Sequence, residues 1–440
     1  MKILFLSIII LLIIAYFAND KELFSPSVIY CSGFALASFF ALLNEKKWGN
    51  IDLITYLVIC GGLLEFFIIT YIVKFIFNIT VRQKSTYNIV FQDKSVISRY
   101  KLILLLLVQI FNLLIIVYYL RKVTGLSNVI EASHYINQSN NGWIQNQVQL
   151  PTIVGVLSAF NNACGLFSEY LIAKNTISKS RKNLIFLFLI ILMGMITAIL
   201  VSGARGGVVY NIIAFAFYLY FVYKTKIKWN NNNGKWLLII FLGILLMVTL
   251  LPWSASLVGR AVTDNTDPID YISIYIGAEI KNLSLFIQNG FYPVKGAVWG
   301  QQTFVGIIGP LSRLFELNIP QYSLDLPFKS INGYSLGNVY TTFYPWLYDF
   351  GYSGIFVLTM VMGIISETIY LYAKIQKNNH KHLICILIYG YISSFLFLSF
   401  FSNKFYEEVF SKNMLYIVIS LFLIELFFKK VKNKLYGVEK

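Results

Sequence analysis

Charged residues are scarce in this chain of 440 residues, where they make up 13% of the sequence, whereas a soluble domain carries about 25%. This scarcity excludes a water-soluble globular enzyme, and the 17% share of aromatic residues excludes a disordered chain. The apolar residues form long continuous runs without polar alternation, which excludes an outer-membrane barrel. The fold class that remains is an all-α polytopic membrane protein.

Cysteine and histidine are also rare. The 4 cysteines and 3 histidines are scattered singly, so the sequence predicts neither a disulfide framework nor a metal site. It contains no Walker A loop, no cytoplasmic D-x-D motif and no credible Ser-His-Asp set. We therefore expect no metal and no cofactor.

Eleven segments are long and apolar enough, or nearly so, to span a bilayer. They predict about 11–12 transmembrane helices, at 3–18, 26–44, 51–73, 101–120, 151–173, 183–201, 206–223, 236–253, 349–373, 383–402 and 414–428. We divide the chain into transmembrane helices 1–8 (1–253), a large loop with amphipathic helices (254–348), and C-terminal helices with a basic tail (349–440).

The net charge of +16 is concentrated in segments between the predicted helices. Cytoplasmic loops of membrane proteins hold surplus lysine and arginine, so this charge indicates topology rather than nucleic-acid binding. It assigns four segments, including the C-terminus, to the cytoplasm: 174–182, 224–235, 374–382 and 429–440. The 254–348 loop, which contains six of the nine prolines, is then external. Counting back places the N-terminus and Lys46/Lys47 outside, which the charge rule disfavours, so we leave the parity open.

Three of the seven arginines fall on the predicted outer face, at Arg205, Arg260 and Arg313. Arg205 lies in the glycine-rich turn Ser202–Gly207. External arginines gain nothing from the charge rule, and arginine binds phosphates with a planar fork of donors. They indicate a site for a phosphate or pyrophosphate group. A tight turn with a snorkelling arginine is the alternative at Arg205.

Apolar residues recur at helical spacing over 271–287. Ile272, Ile276, Ile280, Leu283 and Ile287 share one face, with Lys281 opposite. Such a helix either lies in the membrane interface beside a lipid-accessible cleft or packs on the transmembrane bundle.

The end of the external loop combines aromatic and polar residues over Asn338–Gly354. Aromatic faces beside polar groups are typical of sugar-binding surfaces, although aromatics also gather at any membrane interface. The predicted substrate-binding residues here are Asn338, Tyr340, Thr341, Tyr344 and Trp346. Asp349 either takes part in catalysis or caps the following helix.

These motifs together resemble the oligosaccharide repeat-unit polymerases, which make O-antigen and capsular polysaccharide. The resemblance rests on Gly-Ala-Arg-Gly-Gly, Gly-Arg after a later helix, the large external loop and the Asn338–Gly354 segment. It implies a metal-independent membrane glycosyltransferase at the outer face of the bacterial inner membrane. Its substrates would be undecaprenyl-pyrophosphate-linked oligosaccharides, and its functional arginines would be Arg205 and Arg260.

The expected reaction is attack of an acceptor hydroxyl on the donor's anomeric carbon, with lipid pyrophosphate leaving. Arginines stabilise the developing charge, and Glu279 or Asp349 are candidates for the general base. A chain-length regulator and a repeat-unit flippase are expected partners. An O-antigen ligase, a lipid-linked oligosaccharide flippase or transporter, and a non-catalytic export scaffold remain alternatives.

Overall fold

The protein is predominantly helical. Seven helices in the part of the chain that the structure describes are long and apolar enough to cross a membrane. The predicted all-α polytopic membrane fold is therefore confirmed. The structure, a computed structural model, describes isolated positions between 229 and 249 and residues 1–81, 98–141, 143–144, 148–227, 268–294, 298–316, 326–375 and 380–428.

Helices before the large loop form most of the bundle. In chain order they are α1 (Lys2–Ala18), α2 (Pro26–Leu43), α3 (Glu45–Trp48), α4 (Leu53–Val81), α5 (Arg99–Thr124), α6 (Val129–Asn140), α7 (Thr152–Ile177), α8 (Leu184–Ser202) and α9 (Gly206–Lys226).

Shorter elements follow in the large loop, and four further helices come after them. They are α10 (Pro268–Ile276), α11 (Ala278–Gln288), α12 (Val305–Leu314), β1 (Lys329–Ile331), β2 (Tyr334–Gly337), α13 (Phe343–Phe350), α14 (Tyr352–Lys374), α15 (His380–Phe397), α16 (Lys404–Val409) and α17 (Lys412–Phe428). A 3₁₀ turn, Leu398–Phe400, continues α15.

Ten of the eleven predicted segments coincide with described helices, while most of 236–253 lies outside the described residues. The predicted helix at 349–373 is α14, which begins at Tyr352. The short helix α13 precedes it and is separated from it at Gly351, where a φ of 65° ends α13. Only glycine adopts this backbone conformation readily, so the break is encoded locally.

Apolar side chains on the outer faces of α1, α4 and α5 remain exposed, among them Ile3, Phe75 and Phe111. In water such a surface would be a large exposed hydrophobic patch. In a bilayer it faces the acyl chains, which agrees with the membrane class.

Helix α7 packs against α5, α8, α9 and α17. It is continuous through Asn161 and Asn162, both of which are buried. Asn112 donates to Asn161 Oδ1 at 3.0 Å, and Asn211 donates to Asn162 Oδ1 at 3.2 Å. Asn162 in turn donates to the Tyr391 hydroxyl at 3.1 Å. These bonds satisfy polar groups that would be costly in hydrocarbon and join four helices.

Contacts of the N-terminal segments show at which end of the bundle the N-terminus lies. At the end we call the loop end, the N-terminal amino group donates to Asn50 at 3.0 Å, and Lys47 pairs with Asp270 at 2.5 Å. At the opposite, basic end, Lys74 donates to the carbonyl of Ala18 at 3.1 Å. The N-terminus therefore lies at the same end as the large loop. That matches the parity obtained by counting back through eleven helices.

The described parts of the large loop form a layer over the loop end. The five apolar residues predicted to share a face over 271–287 are all buried, but the stretch is two helices that meet at Gly277. A Cβ on Gly277 would lie 2.7 Å from the backbone of Ala41, so α2 packs directly against this junction. Lys281, expected on the solvent side, is buried and donates to the carbonyl of Asn50 at 2.6 Å. Packing on the bundle, rather than immersion in the membrane interface, describes these helices.

A two-stranded antiparallel hairpin, β1–β2, also belongs to this layer, where the sequence predicts only helices. Asn282 of α11 holds it through bonds to the carbonyls of Leu336 at 3.0 Å and Val339 at 2.8 Å. Side chains of the loop layer thus hold it in place by donating hydrogen bonds to buried backbone carbonyls.

Candidate functional site at the loop end

The turn between α8 and α9 is held in a fixed shape by α6. Gly203 ends α8 with a φ of 59°, and a Cβ there would lie 2.3 Å from the carbonyl oxygen of Ser133. Asn137 donates to the carbonyl of Ser202 at 3.0 Å. Gly203 is therefore required both for the left-handed conformation and for close contact with α6.

Arg205 follows directly and occupies the N-cap position of α9. Its Nη2 donates to the Tyr271 hydroxyl at 3.2 Å, and its guanidinium carbon lies 5.7 Å from the centre of the Tyr275 ring. The two tyrosines stand one turn apart on α10, with their rings 4.8 Å apart. The guanidinium is thus oriented by the loop layer while the side chain remains half-buried.

The start of α9 adds a second source of positive potential. The first N–H groups of a helix have no intrahelical acceptor, and the helix dipole favours negative charge there. Arg205, Gly206 and Gly207 place a guanidinium beside such a terminus, without side chains on the two glycines. This combination suits a phosphate or pyrophosphate group.

Tyr210 brings a carboxylate to the same helix end. Its side chain folds back along α9, so that a Cβ on Gly206 would lie 3.3 Å from the Tyr210 hydroxyl. That hydroxyl donates to Glu408 Oε1 at 3.3 Å. On the same short helix, α16, Lys404 and Glu407 form an ion pair at 2.5 Å. A cationic group and a carboxylate therefore lie near one helix terminus.

The environment of Glu408 favours proton uptake. Burial is the largest influence and raises the pKa of the Glu408 carboxyl; the negative charge of Glu407 also raises it, while Lys404 lowers it. The charge rule that places 254–348 outside also places 403–413 outside, but no sequence motif singles out Glu408. Two adjacent carboxylates in so short an external segment were the available signal.

The two predicted carboxylates have different surroundings. Glu279 of α11 is fully buried, and neither of its oxygens finds a hydrogen-bond partner among the residues that the structure describes. Burial raises its pKa well above the ordinary value. Asp349 of α13 accepts the backbone N–H groups of Gln302 at 3.1 Å and Thr303 at 2.7 Å. Burial raises the pKa of Asp349 against the lowering effect of these bonds.

The predicted sugar-binding segment lies largely in the interior of the loop layer. Trp346 is fully buried and donates to Asn403 Oδ1 at 2.9 Å. Tyr340 is also buried and donates to the carbonyl of Pro327 at 2.9 Å. Tyr344 and Thr341 are buried beside them, while Asn338 is half-exposed. These rings pack the layer, and their faces are covered in this structure.

Exposed aromatic rings occur elsewhere in the loop layer. Trp299 and Phe291 are 75% and 81% exposed, respectively. Trp299 lies against Phe350, with ring centres 4.9 Å apart. These two exposed rings were not predicted, because nothing in their local sequence distinguishes exposed from buried aromatics.

Two of the three predicted arginines cannot be placed against Arg205. Arg260 lies outside the described residues, and for Arg313 only the backbone, within α12, is described. Of the aspartates at 264, 267 and 270, only Asp270 is described, and it pairs with Lys47. Within the described ranges no group of three or more His, Cys, Asp or Glu residues could hold a metal ion.

Comparison of the chain with protein-family models, with curated proteins and with solved structures gives no match.

Proposed function

We propose that the protein is a membrane glycosyltransferase that polymerises undecaprenyl-pyrophosphate-linked oligosaccharide repeat units into O-antigen or capsular polysaccharide. The observation that carries the proposal is the placement of Arg205, held by Tyr271 and Tyr275 at the start of α9. The loop layer covers this end of the bundle, and a lipid-linked substrate would approach it from the surrounding bilayer.

In this reaction an acceptor hydroxyl attacks the anomeric carbon of the donor glycan. The bond from that carbon to the pyrophosphate oxygen breaks, and the electron pair leaves with the lipid pyrophosphate. Arg205 and the first N–H groups of α9 stabilise the charge that develops on this leaving group. Both substrates are confined to one membrane plane, which raises their effective concentration.

The proposal places the protein in the bacterial inner membrane with the loop end outside and the C-terminus in the cytoplasm. Lysines and arginines gather at the basic end, as cytoplasmic segments do. A repeat-unit flippase would deliver substrate to the outer leaflet, and a chain-length regulator would limit the product.

The test uses purified protein in phospholipid vesicles with a synthetic lipid-linked repeat unit. We expect a ladder of lengthened glycans from the wild type and none from Arg205→Ala. Arg205→Lys should lose most of the activity, because a point charge does not replace the planar fork. Arg121→Lys is the matched control, since Arg121 is exposed in the last turn of α5 at the same end of the bundle.

Other outcomes would assign the other functions. Movement of the lipid-linked unit across the vesicle membrane without lengthening would indicate a transporter or flippase. Transfer to an added lipid A core without polymer formation would indicate an O-antigen ligase. Full activity of Arg205→Lys would remove the argument from bidentate phosphate binding.

A further inference from the structure

We infer that Glu408 is the general base of the glycosyl transfer and that Tyr210 positions it. The inference deepens the proposed function and rests on it. Neither residue belongs to the motifs that carry the family resemblance, and the contact between them joins positions that are 198 residues apart in the chain.

The position of Glu408 relative to the start of α9 supports the assignment. The Tyr210 hydroxyl lies beside Gly206, the residue after Arg205, and donates to Glu408 Oε1 at 3.3 Å. Pyrophosphate bound at the helix terminus would place the donor's anomeric carbon one bond beyond it. Glu408 is the carboxylate that Tyr210 links to this terminus, and we therefore assign the incoming acceptor to it.

Three other carboxylates of the loop end are less suited to this role. Glu407 is paired with Lys404, Asp349 is occupied by two backbone N–H groups, and Glu279 is fully buried. Glu408 is half-buried as a residue, in contrast to Glu279, and among the residues that the structure describes neither an ion pair nor a backbone N–H engages its carboxylate.

Several groups around Glu408 influence its charge. Lys404 and Glu407 lie on its own helix, and Tyr210 and Tyr391 face it from α9 and α15. Burial and Glu407 favour its protonated form, while Lys404 and the Tyr210 hydrogen bond favour the carboxylate. A general base is most effective when its pKa lies near the operating pH.

The step balances without a further reactant. As the acceptor oxygen forms its bond to the anomeric carbon, its proton passes to a Glu408 oxygen. The bond between that carbon and the pyrophosphate oxygen breaks, and the leaving group takes the electron pair. Glu408 then releases the proton to solvent, which restores the carboxylate.

The experiment compares initial polymerisation rates of wild type and Glu408→Gln across about pH 5 to 9. We expect the amide to lower kcat about a hundredfold or more, which is the usual size of general-base catalysis. The wild-type rate should fall as the pH falls, because protonated Glu408 cannot accept a proton. That acidic limb should be absent from the residual activity of Glu408→Gln.

Two further variants distinguish loss of the catalytic base from loss of the folded structure. Glu408→Asp keeps the charge but withdraws the carboxylate by one methylene, so kcat should fall while KM stays near the wild-type value. Glu131→Gln is the matched control, because Glu131 is an exposed carboxylate at the same end, on α6, and its removal should leave the rate unchanged.

The failures of the two proposals are distinguishable. Equal rates and equal pH profiles for wild type and Glu408→Gln, with a wild-type ladder present, overturn the role of Glu408 alone. An unchanged kcat in Glu408→Asp, if the amide variant does not fold, does the same. Absence of polymer from the wild type overturns the proposed function and this inference with it.

Discussion

Arg205 Nη2 donates to the Tyr271 hydroxyl at 3.2 Å, between residues 66 positions apart. The bond connects the turn between two transmembrane helices to the first helix of the loop layer. The orientation of the Arg205 guanidinium thus depends on the position of α10. Substitutions in the loop layer that move α10 should therefore change the orientation of Arg205.

We expect Tyr271→Phe to lower polymerisation about ten- to a hundredfold, the effect of losing one hydrogen bond to a charged group, ~1.5–3 kcal/mol. The loss should be smaller than that of Arg205→Ala, because the ring still packs beside Tyr275. Tyr100→Phe, an exposed tyrosine at the basic end, serves as control. Equal activity of Tyr271→Phe and wild type would show that this bond does not orient the arginine.

Gly203→Ala should destabilise the protein by about 2 kcal/mol or more, because the new Cβ meets the Ser133 carbonyl oxygen in a left-handed conformation. Two glycine-to-alanine controls separate the causes. Gly125 has a φ of 72° but no atom within 4 Å of the added Cβ, and Gly155 has neither constraint. We expect the melting temperature to fall most for position 203, less for 125, and little for 155. A similar fall at 125 and 203 would leave no role for contact with α6.

Glu279→Gln tests the buried carboxyl of α11. Its pKa is raised in the folded state by burial, so its contribution to stability is present below the ordinary glutamate pKa and is lost as the pH rises through the folded value. The melting temperature of the wild type should therefore fall relative to Glu279→Gln as the pH rises. Glu131→Gln should stay parallel to the wild type. If the melting temperatures of wild type and Glu279→Gln change with pH in parallel, the Glu279 carboxyl does not change its charge over the pH values measured.

Polymerisation should continue in excess EDTA, because the proposed leaving-group charge is neutralised by guanidinium and N–H groups. The measurement is the rate of ladder formation by purified protein before and after chelation. Loss of activity that Mg²⁺ or Mn²⁺ restores would contradict this, and would direct attention to the aspartates at 264, 267 and 270.

Topology can be tested by cysteine labelling in intact cells, in a background without the native cysteines. Ser335→Cys, in β2 at the loop end, should react with a membrane-impermeant reagent, whereas Ser178→Cys, at the basic end, should not. Both serines are exposed, so accessibility within the protein does not differ. The reverse pattern would invert the proposed orientation.

The sequence predicted most of the helices because each span carries its own signal, a sufficient length of apolar residues. It missed the hairpin and misplaced the solvent side of α11. Lys281 is buried because it donates to the carbonyl of Asn50, which lies between α3 and α4. The periodicity within 271–287 does not contain that information.

The candidate site was predictable only in part. The glycines and the arginine of the α8–α9 turn are adjacent in sequence, so the motif was visible. Tyr271, Tyr275 and Glu408 reach it from distant segments, and only the fold brings them together. The aromatic segment shows the opposite limitation: its composition resembles a binding surface, yet Trp346 bonds to Asn403 in the interior.

The buried asparagines of α7 have a consequence for biogenesis. A helix that carries Asn161, Asn162 and Glu169 on buried faces is a poor candidate for independent release from a translocon into lipid. Asn211 and Tyr391, which bond to Asn162, are synthesised later. We therefore expect a nascent chain that ends soon after Ile177 to remain at the insertion machinery, and this helix to settle in the membrane only as α9 and α15 emerge.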